Sequence, residues 1–329
     1  MKFAIPIIII DKLLLQYCTH YIKEGRMIYY GQKLQLNDLY DPKWTERFTE
    51  PLKVAIALKQ AGISFVELPI GEETKTDTIL DITRVFTNEG LFVSLHPYLY
   101  KELSPEIFNE SKIPGLIEML STAQEVSELT GFPVPYVLHG GRARSEPYYV
   151  DLGNAISHAK AFFSWVDDTC NSQFGSVIPL CETQTPWDAS DREMVRLGDT
   201  FQSCLDLIQD TDMGICWDFG HTYRSSYLKK QQELPDDKFL ARVQHVHAHD
   251  TIETGEGPED HFPLGDGLAP WRKYCAELAR YKYSDSILLE INPTRFRDLD
   301  DLIFFAKDGI ERLKVFFEED ISDSDELLG

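Results

Sequence analysis

The feature that most constrains this chain is a rhythm of short, near-continuously apolar runs alternating with amphipathic stretches. The runs are Ser64–Ile70 (SFVELPI), Leu91–His96 (LFVSLH), Pro135–His139 (PYVLH), Val177–Glu182 (VIPLCE), Met213–Asp218 (MGICWD), Val243–His249 (VQHVHAH) and Ile287–Ile291 (ILLEI). Runs with so little alternation suit strands buried on both faces, as in parallel sheets covered by helices. The stretches between them carry helix signals. Pro51–Ala61 opens with a first-turn proline. Leu116, Met119, Leu120 and Ala123 recur on one helical face. Ser190 and Glu193 read as a capping box ahead of Met194, Leu197, Phe201 and Leu205. Leu302, Phe305, Ala306, Ile310 and Leu313 mark a last helix.

Strands alternating with helices pair in parallel through crossover units. An eighth strand from the first 50 residues, either Phe3–Ile10 or Met27–Tyr30, completes a (β/α)8 barrel. The fold class is thus α/β, a TIM barrel forming a single domain over 1–317, with 1–50 an N-terminal extension or a first unit with a long first loop. The competing architecture is an open doubly wound sheet. Residues 318–329 read as an acidic, flexible tail, since Glu318–Glu326 holds six acids and no base.

Composition narrows the function. An apolar fraction of 43% is too high for a disordered chain. With 54 acidic against 32 basic residues the net charge is −22, which argues against a nucleic-acid partner. The longest apolar run, Phe3–Ile10, ends at Asp11-Lys12. It falls short of the roughly 20 residues of a spanning helix and lacks a cleavage pattern. The six cysteines form no CxxC and read as reduced core thiols of a cytoplasmic protein.

The polar residues are placed informatively. Catalytic groups of a barrel sit at the C-terminal ends of its strands. Here those ends carry His96, His139, Glu182, Asp218 with His221 three residues on, His245, His247 and His249 followed by Asp250, and Glu290; a loop adds Glu259, Asp260 and His261. A lone strand-end His or Asp is most often a hydrogen-bonded structural residue or a helix cap. One per strand, gathered into one mouth, calls for a cation. Mixed imidazole and carboxylate ligation suits a transition-type divalent metal better than calcium. Alternation sets His245, His247 and His249 on one face. His247 is nearest the level of the other ligands, and His249 or Asp250 is a supporting group. His20 and His158 read as structural or exposed.

These residues resemble the xylose isomerase-like TIM barrels, which include sugar isomerases, epimerases and the endonuclease IV type of nuclease. Asp218-Phe219-Gly220-His221 is similar to their D-T-G-H element. The resemblance continues through His96-Pro97-Tyr98, His139-Gly140-Gly141, Cys181-Glu182-Thr183, His247-Ala248-His249-Asp250, Asp260-His261-Phe262-Pro263-Leu264-Gly265-Asp266-Gly267 and Leu289-Glu290, over roughly residues 60–315. It implies a four-ligand site of Glu182, Asp218, His247 and Glu290, with His221 contacting substrate or a second metal. It also implies further nuclease-type ligands at His96, His139, His261 and an acid before it, either Glu259 or Asp260. The implied cofactor is one to three divalent ions (Mn, Zn, Co or Mg). Gly62-Ile63-Ser64-Phe65-Val66-Glu67-Leu68 is similar to the G-x-x-x-V-E-L of the sugar isomerase branch. No nuclease-like Gly-Gly loop occurs in residues 11–50, and the Asn-bearing stretch usual after His96 is missing.

The expected activity is metal-dependent isomerisation or epimerisation of a small sugar, sugar acid or sugar phosphate. Glu182 and Glu290 would move a proton while His221 holds a substrate oxygen; dehydratase or lyase chemistry would use the same elements. The alternative is a multinuclear phosphodiester hydrolase of the endonuclease IV type. Arg142, Arg144, Arg224, Arg295 and Arg297 follow strand ends. Arg142, Arg224 and Arg295 are candidate binders of an anionic substrate group, with pairing to nearby acids as the competing role. A homo-oligomer is compatible with the sequence.

Overall fold

The computed structural model describes residues 28–35, 50–144, 151–186, 194–230, 234–255 and 257–317. Twelve strands occur among them: β1 (Tyr29–Lys33), β2 (Phe65–Gly71), β3 (Phe92–Tyr98), β4 (Val134–Leu138), β5 (Arg142–Arg144), β6 (Val177–Glu182), β7 (Met194–Arg196), β8 (Gly214–Asp218), β9 (Val243–Ala248), β10 (Asp250–Thr254), β11 (Gly257–Phe262) and β12 (Ser286–Leu289). Eight of them, β1, β2, β3, β4, β6, β8, β9 and β12, close in that order into a barrel, β12 returning to β1. Every barrel pairing is parallel. This excludes the open doubly wound sheet.

The helices are α1 (Pro51–Gln60), α2 (Thr76–Asn88), α3 (Ile113–Thr130), α4 (Leu152–Gln173), α5 (Phe201–Leu207), α6 (Phe219–Lys229), α7 (Asp237–Leu240), α8 (Trp271–Arg280) and α9 (Leu299–Phe317). Their ends follow local chemistry. Pro51 opens α1, and Gly131 stops α3 in the left-handed conformation at φ 71°. Asp151 caps α4 through the amides of Gly153 and Asn154. The core lies between barrel and helices, where Val66, Val93, Val246 and Ile287 meet Leu58, Phe86, Phe162 and Ala306, all fully buried. None of the helices among the described residues is long and apolar enough to cross a membrane. The five described cysteines are buried and free.

Two expectations need correction. The strand that closes the barrel is Tyr29–Lys33, which overlaps the second candidate and extends beyond it; Phe3–Ile10 lies outside the described residues. Met194 does not begin a helix. Met194–Arg196 pairs antiparallel with Arg142–Arg144, Gly198 turns the chain at φ 84°, and α5 starts at Phe201. The capping box at this helix is Thr200 with Ser203, a later pair that satisfies the same orphan amides; Ser190 and Glu193 lie outside the described residues. The acidic tail, Cys18 and His20 do so too.

Candidate metal centre at the barrel mouth

Parallel closure brings all eight C-terminal strand ends to one rim. Asp218 ends β8 opposite His247 of β9 in the ladder, and Glu290 follows Leu289, which pairs with Ala248. Glu182 ends β6. Donor atoms of Glu182, Asp218, His247 and Glu290 all lie within 4.8 Å of one another, and none of the four residues is more than 1% exposed. Nδ1 of His247 is the hub, at 3.1 Å from Glu182 Oε1, 2.9 Å from Glu290 Oε2 and 3.7 Å from Asp218 Oδ2.

The surroundings leave one face of each group directed at that hub. Asp218 caps α6, its Oδ1 accepting the His221 amide at 2.6 Å. His249 contacts the same carboxylate through Nε2 at 3.0 Å while its Nδ1 accepts the His261 amide at 2.9 Å. His249 is thereby fixed with its proton on Nε2, as a support for Asp218. Gly220 makes this possible, because a Cβ there would lie 1.9 Å from Cε1 of the His249 ring. Glu290 gives Oε1 to the buried ammonium of Lys33, whereas its Oε2 is buried and accepts no hydrogen bond. Gln184 Nε2 donates to Glu182 Oε2 at 2.7 Å.

Two flanking clusters share members with this centre. His96, His139 and Glu182 form one, with the two Nε2 atoms 2.9 Å apart and His139 Nε2 2.7 Å from Glu182 Oε2. Asp218, His221, His249 and His261 form the other. His221 directs Nδ1 at the carbonyl of Thr183, 3.1 Å away, so Nε2 keeps its lone pair. Burial pushes the imidazoles of His139 and His221 down to about 4, despite the opposing pull of Glu182. Burial also acts to lower His261, but Asp260 and Glu290 raise it to about 10. Asp218 is held well above the usual carboxylate range by burial and by Glu290 and Glu182. Buried carboxylates this close repel one another unless a cation or protons join them.

The donor set fits a divalent ion. Two glutamates, an aspartate and an imidazole supply hard and borderline ligands at spacings compatible with bond lengths of about 2.1 Å, and the bare Oε2 of Glu290 faces the gap between them.

Of the two acids before His261, Asp260 faces the site and Glu259 does not. Asp260 binds His261 Nδ1 at 2.9 Å and Arg224 at 2.9 Å. Glu259 is half exposed and pairs with Arg295. The hairpin of β10 and β11 turns neighbouring residues to opposite faces, so Glu259 is corrected to a position outside the cluster. Arg295 lies over the Phe262 ring, Arg142 over the Tyr100 ring at 4.0 Å, and the exposed Arg297 pairs with Asp301. His158 is structural, with Nδ1 at 2.9 Å from the carbonyl of Glu106. Asp250 is likewise structural, accepting the amides of Thr251, Gly265, Gly267 and Ala269. Sequence reading missed Lys33, Tyr98 and Tyr100 as site residues. It noted Glu67 only within a motif, although a glutamate inside the apolar run SFVELPI already signals a charge pointed into the barrel.

Comparison with known proteins identifies the family and the fold. The sequence matches the family described as xylose isomerase-like TIM barrel over residues 56–314. Curated proteins show no match to the chain in sequence. Among solved structures it is similar to an L-ribulose 3-epimerase (14% identity, TM-score 0.60, covering 89% of this chain and 95% of that one). It is similar to a D-psicose 3-epimerase with D-tagatose from Clostridium cellulolyticum H10 (11%, 0.60, 87% and 99%). It is also similar to mannonate dehydratase from Streptococcus suis serotype 2 (12%, 0.62, 91% and 98%). The closed parallel barrel and the family match over most of its length together place the chain in the xylose isomerase-like TIM barrel family.

Proposed function

We propose that this protein is a divalent-metal-dependent enzyme that isomerises or epimerises a small polyhydroxy carbonyl compound. The observation that carries the reading is the meeting of Glu182 and Glu290 on His247 from two separate barrel strands, with Asp218 beside them. Glu182, Asp218, His247 and Glu290 would hold the ion, which supplies Lewis acidity toward neighbouring carbonyl and hydroxyl oxygens of the substrate.

The chain's own groups do the rest. Glu182 and Glu290 approach the hub from different strands, so one can remove a proton from the substrate carbon while the other returns it. Lys33 occupies Oε1 of Glu290 and leaves Oε2 as the oxygen facing the site. His221 presents a neutral Nε2 to a substrate hydroxyl. Of the three candidate arginines, Arg142, stacked on Tyr100 beside His139, is the one to meet an anionic substituent, whereas Arg224 and Arg295 are tied to Asp260 and Glu259. The similarity to two sugar epimerases and a dehydratase supports this class of substrate.

A phosphodiester hydrolase is the second reading, favoured by the two flanking clusters that share Glu182 and Asp218 with the centre. Ketoses, sugar acids and sugar phosphates incubated with enzyme in deuterated water separate the two. Solvent deuterium at the α-carbon, abolished by chelator and by Glu182→Gln, supports the first. Nicking of abasic-site DNA without such exchange would replace it.

A further inference from the structure

One layer below the mouth, the carboxylate of Glu67 faces three imidazoles. Oε1 lies 3.1 Å from His247 Nε2 and 3.5 Å from His96 Nδ1, and Oε2 lies 3.3 Å from His245 Nε2. Glu67 and the three histidines are at most 1% exposed, and neither the three inward nitrogens nor Oε1 of Glu67 has a hydrogen-bond partner, so these close approaches are charge contacts. His245 is further held by Ser286, whose Oγ is 2.6 Å from Nδ1, and Ser94 Oγ donates to Glu67 Oε2 at 3.2 Å. The other polar neighbour of His245 and His247 is the side chain of Cys216.

We infer that Glu67 is a positioning residue that sets the tautomers of His96 and His247 together, turning Nε2 of the first and Nδ1 of the second into lone-pair donors for the clusters above. The inference rests on the metal reading proposed above. A neutral imidazole has one proton and one lone pair. Carboxylates stand at both nitrogens of His247; in the loaded protein a cation would take the outward lone pair of each ring, and the one remaining proton then sits on the inward nitrogen, where the charge of Glu67 favours it. The outward nitrogens are those that meet Glu182 and His139, in the case of His96, and Glu182, Asp218 and Glu290, in the case of His247. One carboxylate on β2 thus prepares ligands on β3 and β9 for two adjoining clusters. A cation between Glu67, His96 and His247 is the competing use of the same atoms. With the mouth and the His96–His139–Glu182 cluster also occupied, it would leave both rings without any N–H proton.

The test uses the whole 329-residue chain stripped of metal and titrated with zinc alone, together with nitrogen-15 histidine spectra of the zinc-loaded form. Wild type should show His247 protonated on Nε2 and His96 on Nδ1. Glu67→Leu should lose these fixed tautomers and bind zinc 10- to 100-fold more weakly, the usual effect of removing a group that orients a ligand. Glu67→Gln, which keeps one acceptor oxygen, should hold one ring and fall between the two. It carries the test alone if Glu67→Leu does not fold, since a merely structural role would lower its melting temperature without changing tautomer or affinity. Unchanged tautomers and zinc affinity in the variants overturn the inference. So do unprotonated inward nitrogens in wild type with one ion fewer in the variants, which would establish the inner cation. A wild type that binds no zinc refutes the functional reading itself, a result visible before any variant is made.

Discussion

Gly220→Ala tests whether the motif Asp218-Phe219-Gly220-His221 is built around the ring of His249. A Cβ at this position would stand 1.9 Å from Cε1, 2.3 Å from Nδ1 and 2.9 Å from Nε2 of that ring. To regain ordinary contact the ring must retreat by about 1.5 Å. The 3.0 Å contact from Nε2 to Asp218 and the 2.9 Å bond from the His261 amide to Nδ1 would then both exceed hydrogen-bond range. Overpacking in a closed site costs about 1–3 kcal/mol and a buried polar group left without its bond about 1–3 kcal/mol, so a destabilisation of about 2–6 kcal/mol is expected. Urea unfolding of the metal-free protein gives this value, and zinc titration should show weakened binding because Asp218 is no longer held. The double variant Gly220→Ala, His249→Ala removes the clashing ring. It should recover part of the stability lost by the single variant and none of the zinc affinity. A Gly220→Ala protein within about 0.5 kcal/mol of wild type, binding zinc normally, would refute the reasoning.

Three further outcomes follow from the site. Glu182→Gln should retain the fold and lower the rate of α-hydrogen exchange by about 10²- to 10⁴-fold, read by deuterium incorporation. Lys33→Met leaves Glu290 without its ammonium partner; unfolding of the metal-free variant should show a loss of about 3–5 kcal/mol, partly restored by a divalent ion. Asp250→Ala frees the amides of Gly265, Gly267 and Ala269, so limited proteolysis should cleave within residues 263–269 while wild type resists.

The fold was legible because a parallel barrel writes its strands as apolar runs. Val177–Glu182 is read with both ends correct, and the other six runs lie within two residues of the observed strands. The candidate ligands could be picked out because strand ends are where a barrel collects polar groups, and Glu182, Asp218, His247 and Glu290 do lie together. The failures have local causes. Tyr29–Lys33 contains Gly31, Gln32 and Lys33 and looks unlike a buried strand. Its polar end is tolerated because Lys33 meets Glu290 and Gln32 donates to the carbonyl of Leu289 on the adjacent strand β12, partners 257 residues away that no local pattern reveals. The stretch from Met194 has a helical spacing of apolar residues, but its strand pairing with Arg142–Arg144 overrides that preference. Glu259 and Asp260 are adjacent acids, and only the register of the β10–β11 hairpin decides which faces inward. Glu67 belongs to a layer of polar groups inside the barrel that spacing along one strand cannot place.

A cation held in the mouth is what the proposed chemistry requires first. The decisive measurement is the divalent metal content of purified protein, wild type beside Asp218→Ala and His247→Ala. At least one tightly held ion per wild-type chain, lost in both variants while they remain folded, is the predicted result. A folded wild type that neither carries nor takes up a divalent ion would contradict it.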